Sequence, residues 1–373
     1  MSCSSCVSPS NIGSVQASVL INNGKPVIGL FPEWYPQSAV LIAWPDKSTA
    51  FSSILGTIEK TYLEIVRAIS LYQTVIIAVR NQQLKIHIKR LFVSSDIDQQ
   101  QIIFVEIPYD DIWVRDMAPV AIQHNQQTHL LILKFNAWGN QYPHHNDSKF
   151  AQRLVATHVL PSRVESSKLI LEGGAFDSNG CGSVLTTASC LYDQKRNHNS
   201  KHVIHKRVLD NLKTKQLIVL NNGHLVGDDT GGHIDTLARF CSEDTIVYTS
   251  CNNPDESHYD TLLKMYNELK LLETVKKARY KLLPLPLPET ILNDHNQPLP
   301  ANYTNFLVIN HAVLVPQYND KQDKTAQLTL GKCFPDRNII PIDCRGLIQQ
   351  YGSLHCMTMN YPNTLKPARI HNE

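Results

Sequence analysis

Apolar and polar positions alternate along this chain in two rhythms. Short β-branched or apolar runs at 39–44, 74–79, 101–107, 216–220, 245–249, 306–315 and 338–342 predict strands. Between them, Ile58, Tyr62, Ile65 and Ile69 fall at helical spacing and predict a helix over 57–71. The same pattern predicts helices over 82–91, over 255–271 and after 315. Strands alternating with helices over the whole length predict an α/β protein. The stretch 118–136 is hairpin-like, so some strands are expected to be antiparallel. Prolines 284, 286, 288, 298 and 300 predict a surface loop over 283–302, because proline fixes φ and donates no hydrogen bond. It is expected as an insertion in one domain, since strand–helix units continue on both sides. Residues 1–28, rich in Ser, Asn and Gly, are expected as a loose leader, with a single domain over 29–373.

Composition narrows the class. Charged residues make up 18% and apolar ones 42% of the 373 residues, which argues against disorder. Lys+Arg 35 against Asp+Glu 33 leaves a net charge of +2, which removes the electrostatic case for a nucleic-acid or membrane-surface binder. The longest apolar runs fall far short of the roughly 20 residues that span a bilayer. The N-terminus shows no basic region followed by an apolar one, so a soluble, cytoplasmic protein is expected. Nine cysteines, an odd number spread along the chain, do not read as a disulfide framework. Cys3 and Cys6 have zinc-ligand spacing, but without a second pair the signal is weak.

Four segments break the rhythm with dense polar chemistry. The first, Asp110-Asp-Ile-Trp-Val-Arg-Asp116, follows the strand at 101–107, and strand ends in α/β folds are where ligands sit. Its structural reading is a salt-bridged corner, Arg115 pairing with Asp111 or Asp116. The second is Leu171-Glu-Gly-Gly174, where paired glycines permit a tight turn beside Glu172. The third is Gly227-Asp-Asp-Thr-Gly-Gly-His233-Ile-Asp235. On a strand His233 and Asp235 would share a face as an acid/base pair. Alternatively Asp228, Asp229, His233 and Asp235 would ligate a metal in a hydrolase, although no HxH or HxxxH pattern accompanies them. The fourth is Gly352-Ser-Leu-His-Cys-Met357, where Cys356 after a turn is either a partly exposed, activated thiol or a buried inert one. The remaining cysteines, Cys190 among them, read as small core residues. There is no GxGxxG or GK[ST] fingerprint. A thiol, an imidazole and several carboxylates form a set for nucleophilic catalysis on a cation, and a planar guanidinium pairs well with carboxylates.

These segments resemble the agmatine deiminase family, which includes the bacterial peptidylarginine deiminases. The resemblance runs through Pro32-Glu-Trp-Tyr-Pro36, Ala43-Trp-Pro45, Trp113-Val-Arg-Asp116 with Pro119, Leu171-Glu-Gly-Gly174, Asp228-Asp-Thr230 with His233-Ile-Asp235, Asn305-Phe306, Phe334-Pro-Asp-Arg337 and Leu354-His-Cys-Met-Thr358. It implies a single-domain, five-bladed, pseudo-symmetric α/β propeller (a pentein) with its site on the central axis. It implies Cys356 as nucleophile and His233 as general acid/base. Asp116 and Asp235 would grip the guanidinium, Glu172 would stand beside the histidine and substrate, and Trp113 would wall the pocket. It implies hydrolysis of agmatine to N-carbamoylputrescine and ammonia through a covalent thiouronium, in polyamine synthesis, with no metal or organic cofactor. The partner is then a small guanidine, with free or peptidyl arginine as the alternative substrate. Nucleic acid and membrane are not expected as partners, and a homo-oligomer stays open. Three positions depart from the family pattern: Ala118 replaces a usual Gly, Gly231 a frequent Asp, and His311 a Gly of an Asn-Gly turn.

Overall fold

The structure, a computed structural model, describes residues 27–368. The leader expected over 1–28, with Cys3 and Cys6, therefore lies outside the described residues except for Val27 and Ile28. The described residues build one repeat five times: a short inner strand, a tight turn, an antiparallel middle strand, a helix or longer excursion, and an outer strand parallel to the middle one. Blade two comprises Val120–His124, Gln127–Lys134 and Arg163–Ile170. Blade three comprises Phe176–Ser178, Ser183–Thr187 and Gln216–Leu220. Blade four comprises Ala238–Phe240, Thr245–Ser250 and Lys281–Pro286. Blade five comprises Leu307–Ile309, Ala312–Gln317 and Asn338–Asp343. Blade one takes its inner strand, Met359–Pro362, from the far end of the chain. That strand runs antiparallel to Gln37–Ala43, which continues in parallel to Thr74–Val79 and Ile102–Glu106.

The pattern of each element follows from what covers it. Ala39, Val40, Leu41, Ile42 and Ala43 are all fully buried, so this middle strand reads as a continuous apolar run rather than an alternating one. The helix Leu55–Ser70 turns Ile58, Tyr62, Ile65 and Ile69 into the core as the spacing predicts. Inner strands of neighbouring blades pack side by side, 176–178 against 238–240 and 359–362 against 120–124. Five sheets thus stand around one axis in a single α/β domain.

Two expectations are corrected. The run 306–315 is not one strand but the hairpin Leu307–Ile309 and Ala312–Gln317, turning at His311 with φ +60°. The turn falls on Asn310-His311, a polar break of two residues between apolar stretches, too short to be read from the apolar pattern as the end of a strand. The loop expected from residue 283 begins later, because Lys281–Pro286 is the outer strand of blade four. Pro284 and Pro286 alternate, opposite Tyr248 and Ser250, on the outermost strand of their sheet. Proline is tolerated in a strand at such an edge, where its missing donor breaks no ladder bond. Ala118 is extended at φ −85°, so the family's usual Gly is not required there. Among the described residues, no helix is long and apolar enough to cross a membrane.

Candidate active site

The repeat explains why distant residues meet. A short turn precedes the inner strand of each blade. Val114–Met117 leads into 120–124, Gly173–Ala175 into 176–178, and Ile234–Thr236 into 238–240. The bend at 302–305 leads into 307–309, and the turn at 354–357 into 359–362. The turns at 114–117 and 234–236 pack on the one at 173–175, while the Arg115 amide donates to the Cys356 carbonyl and the His355 amide to Asn305, so all five meet. They carry Asp116, Glu172, His233 with Asp235, Asn305 and Cys356.

All five predicted catalytic residues come together there, and all are buried. Gly174 marks the meeting point. A Cβ at that position would sit 2.7 Å from His233 Nδ1 and 3.0 Å from both Asp116 Oδ1 and Asp235 Oδ2. Only a residue without a side chain lets three charged groups approach so closely. The Cys356 thiol lies 3.9 Å from Asp235 Oδ2 and accepts a 3.3 Å hydrogen bond from Asn305 Nδ2. Trp138 Nε1 donates to Asp116 Oδ2 at 3.0 Å, and the Gly174 amide donates to Asp116 Oδ1 at 2.9 Å. His233 Nδ1 is 3.8 Å from Asp116 Oδ1, and its Nε2 is 3.6 Å from Glu172 Oε2. Neither ring nitrogen of His233 has a hydrogen-bond partner, nor does Asp235 Oδ1, although all three atoms are buried. Buried polar atoms without partners are costly, and such atoms clustered at one point call for a ligand that supplies what they lack.

The electrostatics follow from burial and three clustered carboxylates. Burial pushes the Cys356 thiol well above its usual range, and the Asp235 and Asp116 charges push it further. Burial opposes charge on His233, but Asp116, Cys190 and Glu172 outweigh it and hold the imidazole well above its ordinary range. Burial raises the Asp116 carboxyl despite His233. Burial would also raise Glu172, but Arg196 and His233 overcome it and lower the carboxyl. Arg196 Nε donates to both Glu172 oxygens, at 2.9 and 3.0 Å.

Several supporting residues were not singled out from the sequence. His355 places Nδ1 2.7 Å from Asp235 Oδ2 and Nε2 2.7 Å from Glu33 Oε2. Glu33 also takes Arg239 at 2.7 Å and Arg115 at 3.6 Å. This layer orients Asp235 from behind. Its members lie inside the stretches 32–36, 113–116 and 354–358 or just after Asp235, a position that could have flagged them. Arg196, in contrast, has no motif around it.

Other expectations are corrected. Arg115 pairs with Glu33 and with Asn360 Oδ1, not with Asp111 or Asp116. Asp110 and Asp111 belong to a neighbouring corner, where Asp147 accepts from both of their amides. His233 and Asp235 do not lie on a strand: His233 caps a 3₁₀ turn, and Asp235 lies within it. Cys356 is only 7% exposed, and its thiol is raised rather than activated. Cys190 is more than core packing, since its thiol lies 3.9 Å from Glu172 Oε2. The four-residue metal reading fails. Asp228 is spent capping its own loop through Thr230 and Gly232, and Asp229 Oδ2 accepts from Tyr142. Glu172, Cys190 and His233 do bring three donor atoms within 4.8 Å of one another. There the Arg196 guanidinium already supplies the counter-charge that a metal would bring. Trp113 packs edgewise over Gly352 and 6.0 Å from Phe51.

A profile of the Porphyromonas-type peptidyl-arginine deiminases matches residues 29–362. The chain belongs to this family. It is 26% identical over 358 residues to an agmatine deiminase of Pseudomonas putida, covering 90% of this chain and 95% of that protein. A cysteine-to-serine variant of a C. jejuni agmatine deiminase with substrate bound superposes with a TM-score of 0.83 at 34% identity, covering 91% of this chain and 97% of that one. An amidinotransferase of Microseira wollei, 11% identical with a TM-score of 0.52 over 92% and 99% of the two chains, shares the fold alone.

Proposed function

We propose that this protein is an agmatine deiminase. The observation that carries the reading is the set of unpartnered buried atoms, Asp235 Oδ1 and both His233 ring nitrogens, beside the Cys356 thiol. A guanidinium offers planar N–H donors to the carboxylates and a carbon to the sulfur. Asp116 and Asp235 hold the cation flat. Its positive charge offsets the two carboxylates that keep the thiol protonated, so substrate binding drives the thiol proton out to solvent and leaves the thiolate. Cys356 Sγ attacks the guanidinium carbon and forms a C–S bond. His233, held protonated by Asp116 and Glu172, gives its proton to the departing nitrogen, and the C–N bond breaks to release ammonia. A thiouronium remains on Cys356. His233, now neutral, takes a proton from water, whose oxygen attacks the same carbon. The C–S bond breaks, the departing thiolate takes up the hydroxyl proton as the C=O forms, and the neutral ureido product leaves. With agmatine the product is N-carbamoylputrescine, an intermediate on the way to polyamines.

One carboxylate linked to the site through two aromatic rings supports agmatine over arginine. Asp229 shares a hydrogen bond with Tyr142, and burial raises its carboxyl to about 6. Tyr142 stacks edgewise on Trp138, which holds Asp116. A terminal ammonium is attracted by the Asp229 carboxylate, and an α-carboxylate is repelled. We place the reaction in the cytoplasm, where a nucleophilic thiol is kept reduced. The test is a panel of agmatine, arginine and an arginyl peptide, with ammonia release as readout. Agmatine should turn over fastest, and Cys356→Ala should be inactive. Preferred turnover of arginine sinks the substrate assignment, and full activity in Cys356→Ala sinks the covalent mechanism.

A further inference from the structure

Blade two carries a cluster that the active site does not use. His124 ends its inner strand, His129 lies in the middle strand and Glu165 in the outer one. Ile122 pairs with His129, and Leu131 pairs with Glu165. Positions two apart share a face, so all three side chains project from the same side of the sheet. Their donor atoms converge within 4.8 Å of one another. Glu165 Oε1 lies 2.6 Å from His124 Nδ1 and 2.8 Å from His129 Nδ1. One carboxylate oxygen therefore faces two imidazoles. His124 makes the hydrogen bond. His129, 8% exposed, is left with neither ring nitrogen hydrogen-bonded.

A buried imidazole whose Nε2 has no partner, and whose Nδ1 meets a carboxylate without a hydrogen bond beside a second imidazole, is unexplained by packing. We propose that His124, His129 and Glu165 form a binding site for a zinc-class divalent ion, separate from the active site. Two imidazoles and one carboxylate are a known donor set for zinc, with water completing the tetrahedron. Bonds of about 2.0–2.1 Å place tetrahedral ligand atoms about 3.3 Å apart, so Glu165 Oε1 needs to draw back by about 0.5–0.7 Å from the two imidazole nitrogens. His124 and Glu165 are half-buried and can swing by that amount. Lys213 Nζ lies 3.1 Å from Glu165 Oε2, the oxygen that the ion does not take. It orients the carboxylate, while its charge opposes the ion. Because His124, His129 and Glu165 come from three adjacent strands, the ion staples three of the four strands of this sheet together.

The test uses the full chain, treated with EDTA and then dialysed against zinc sulfate alone. Metal content per chain is compared between wild type, His124→Ala, His129→Gln and Lys213→Met, and each is followed by thermal melting with and without zinc. Wild type should hold one more equivalent than either histidine variant. Zinc should raise its melting midpoint by several degrees and leave those of the histidine variants in place. Lys213→Met, which removes the opposing charge and no ligand, should bind several-fold more tightly than wild type. Equal zinc content in wild type and both histidine variants overturns the proposal, as does unchanged or weaker binding in Lys213→Met. None of these readouts depends on deiminase activity, so a failed substrate assignment leaves the result intact.

Discussion

At the residue scale, the site is a set of acids arranged so that only a cation relieves them. The first consequence concerns Cys356. Burial, Asp235 and Asp116 all favour its neutral thiol, so the thiolate fraction without substrate is still rising at pH 9. Iodoacetamide inactivation of the free enzyme should keep accelerating past about pH 10, where an ordinary thiol of pKa about 8.5 has already levelled off. Asp116→Asn should move that rise to lower pH, because one negative charge is gone. A plateau below pH 8 in wild type contradicts the charge balance described above. The second consequence concerns grip. Asp116→Asn or Asp235→Asn removes half of a charged, desolvated contact. The cost is about 3–4 kcal/mol, or roughly 10²–10³-fold in kcat/KM. Steady-state kinetics on agmatine with either variant should show that loss. A change under tenfold would mean that the carboxylates do not touch the substrate.

At the element scale, the units that matter are the turns before the inner strands. Each is too short to bury a face of its own, so hydrophobic pattern cannot reveal it. The strands at 74–79 and 216–220 are legible because burial on both faces makes them continuous apolar runs. The hairpin at His311 and the edge strand holding Pro284 and Pro286 are illegible for the opposite reason. There a left-handed turn residue and an edge position override the local propensities. The candidate catalytic residues were legible through motif resemblance, whereas their mutual distance was not. Arg196, 24 residues from the Glu172 it neutralises, gave no local signal at all. Gly174 shows how tightly the turns are fitted. Gly174→Ala would put a methyl 2.7 Å from His233 Nδ1 and about as close to Asp116 and Asp235. Moving those groups should cost about 1–3 kcal/mol of stability and lower kcat by at least 100-fold. Melting and kinetics on one preparation separate the two effects. A nearly fully active Gly174→Ala enzyme would show that the three groups need not be this close.

At the scale of the whole molecule, the blades are tied beneath the site by one carboxylate. Burial alone would raise Glu33, but Arg239, then His355 and Arg115, hold it far below the usual carboxylate range. Its Oε1 also accepts from the Val308 amide at 2.7 Å, so it joins elements of blades one, four and five. A depressed folded-state pKa gives stability that is present above the unfolded value, near 4.3–4.5. That stability is lost as pH falls through this range toward the folded value. Glu33→Gln leaves buried cations uncompensated, so it should cost about 3–5 kcal/mol at pH 7. Below about pH 4.5 the gap to wild type should narrow. Urea titrations across pH 3–8 test this, and a gap that stays constant with pH would assign the loss to packing alone.

Blade one is completed by residues from both ends of the described chain, and this bears on how the ring could be rewired. Gly29 pairs with Gln123, Gln123 pairs with Thr128, and the Thr128 hydroxyl meets that of Thr364 at 2.7 Å. Start and finish are therefore two strand widths apart. A circularly permuted gene, with those ends spliced and new ones cut in the exposed tip at 294–296, would encode the same five repeats in a different reading order. Blade one would then be covalently continuous, and the seam would pass to an exposed loop between blades four and five.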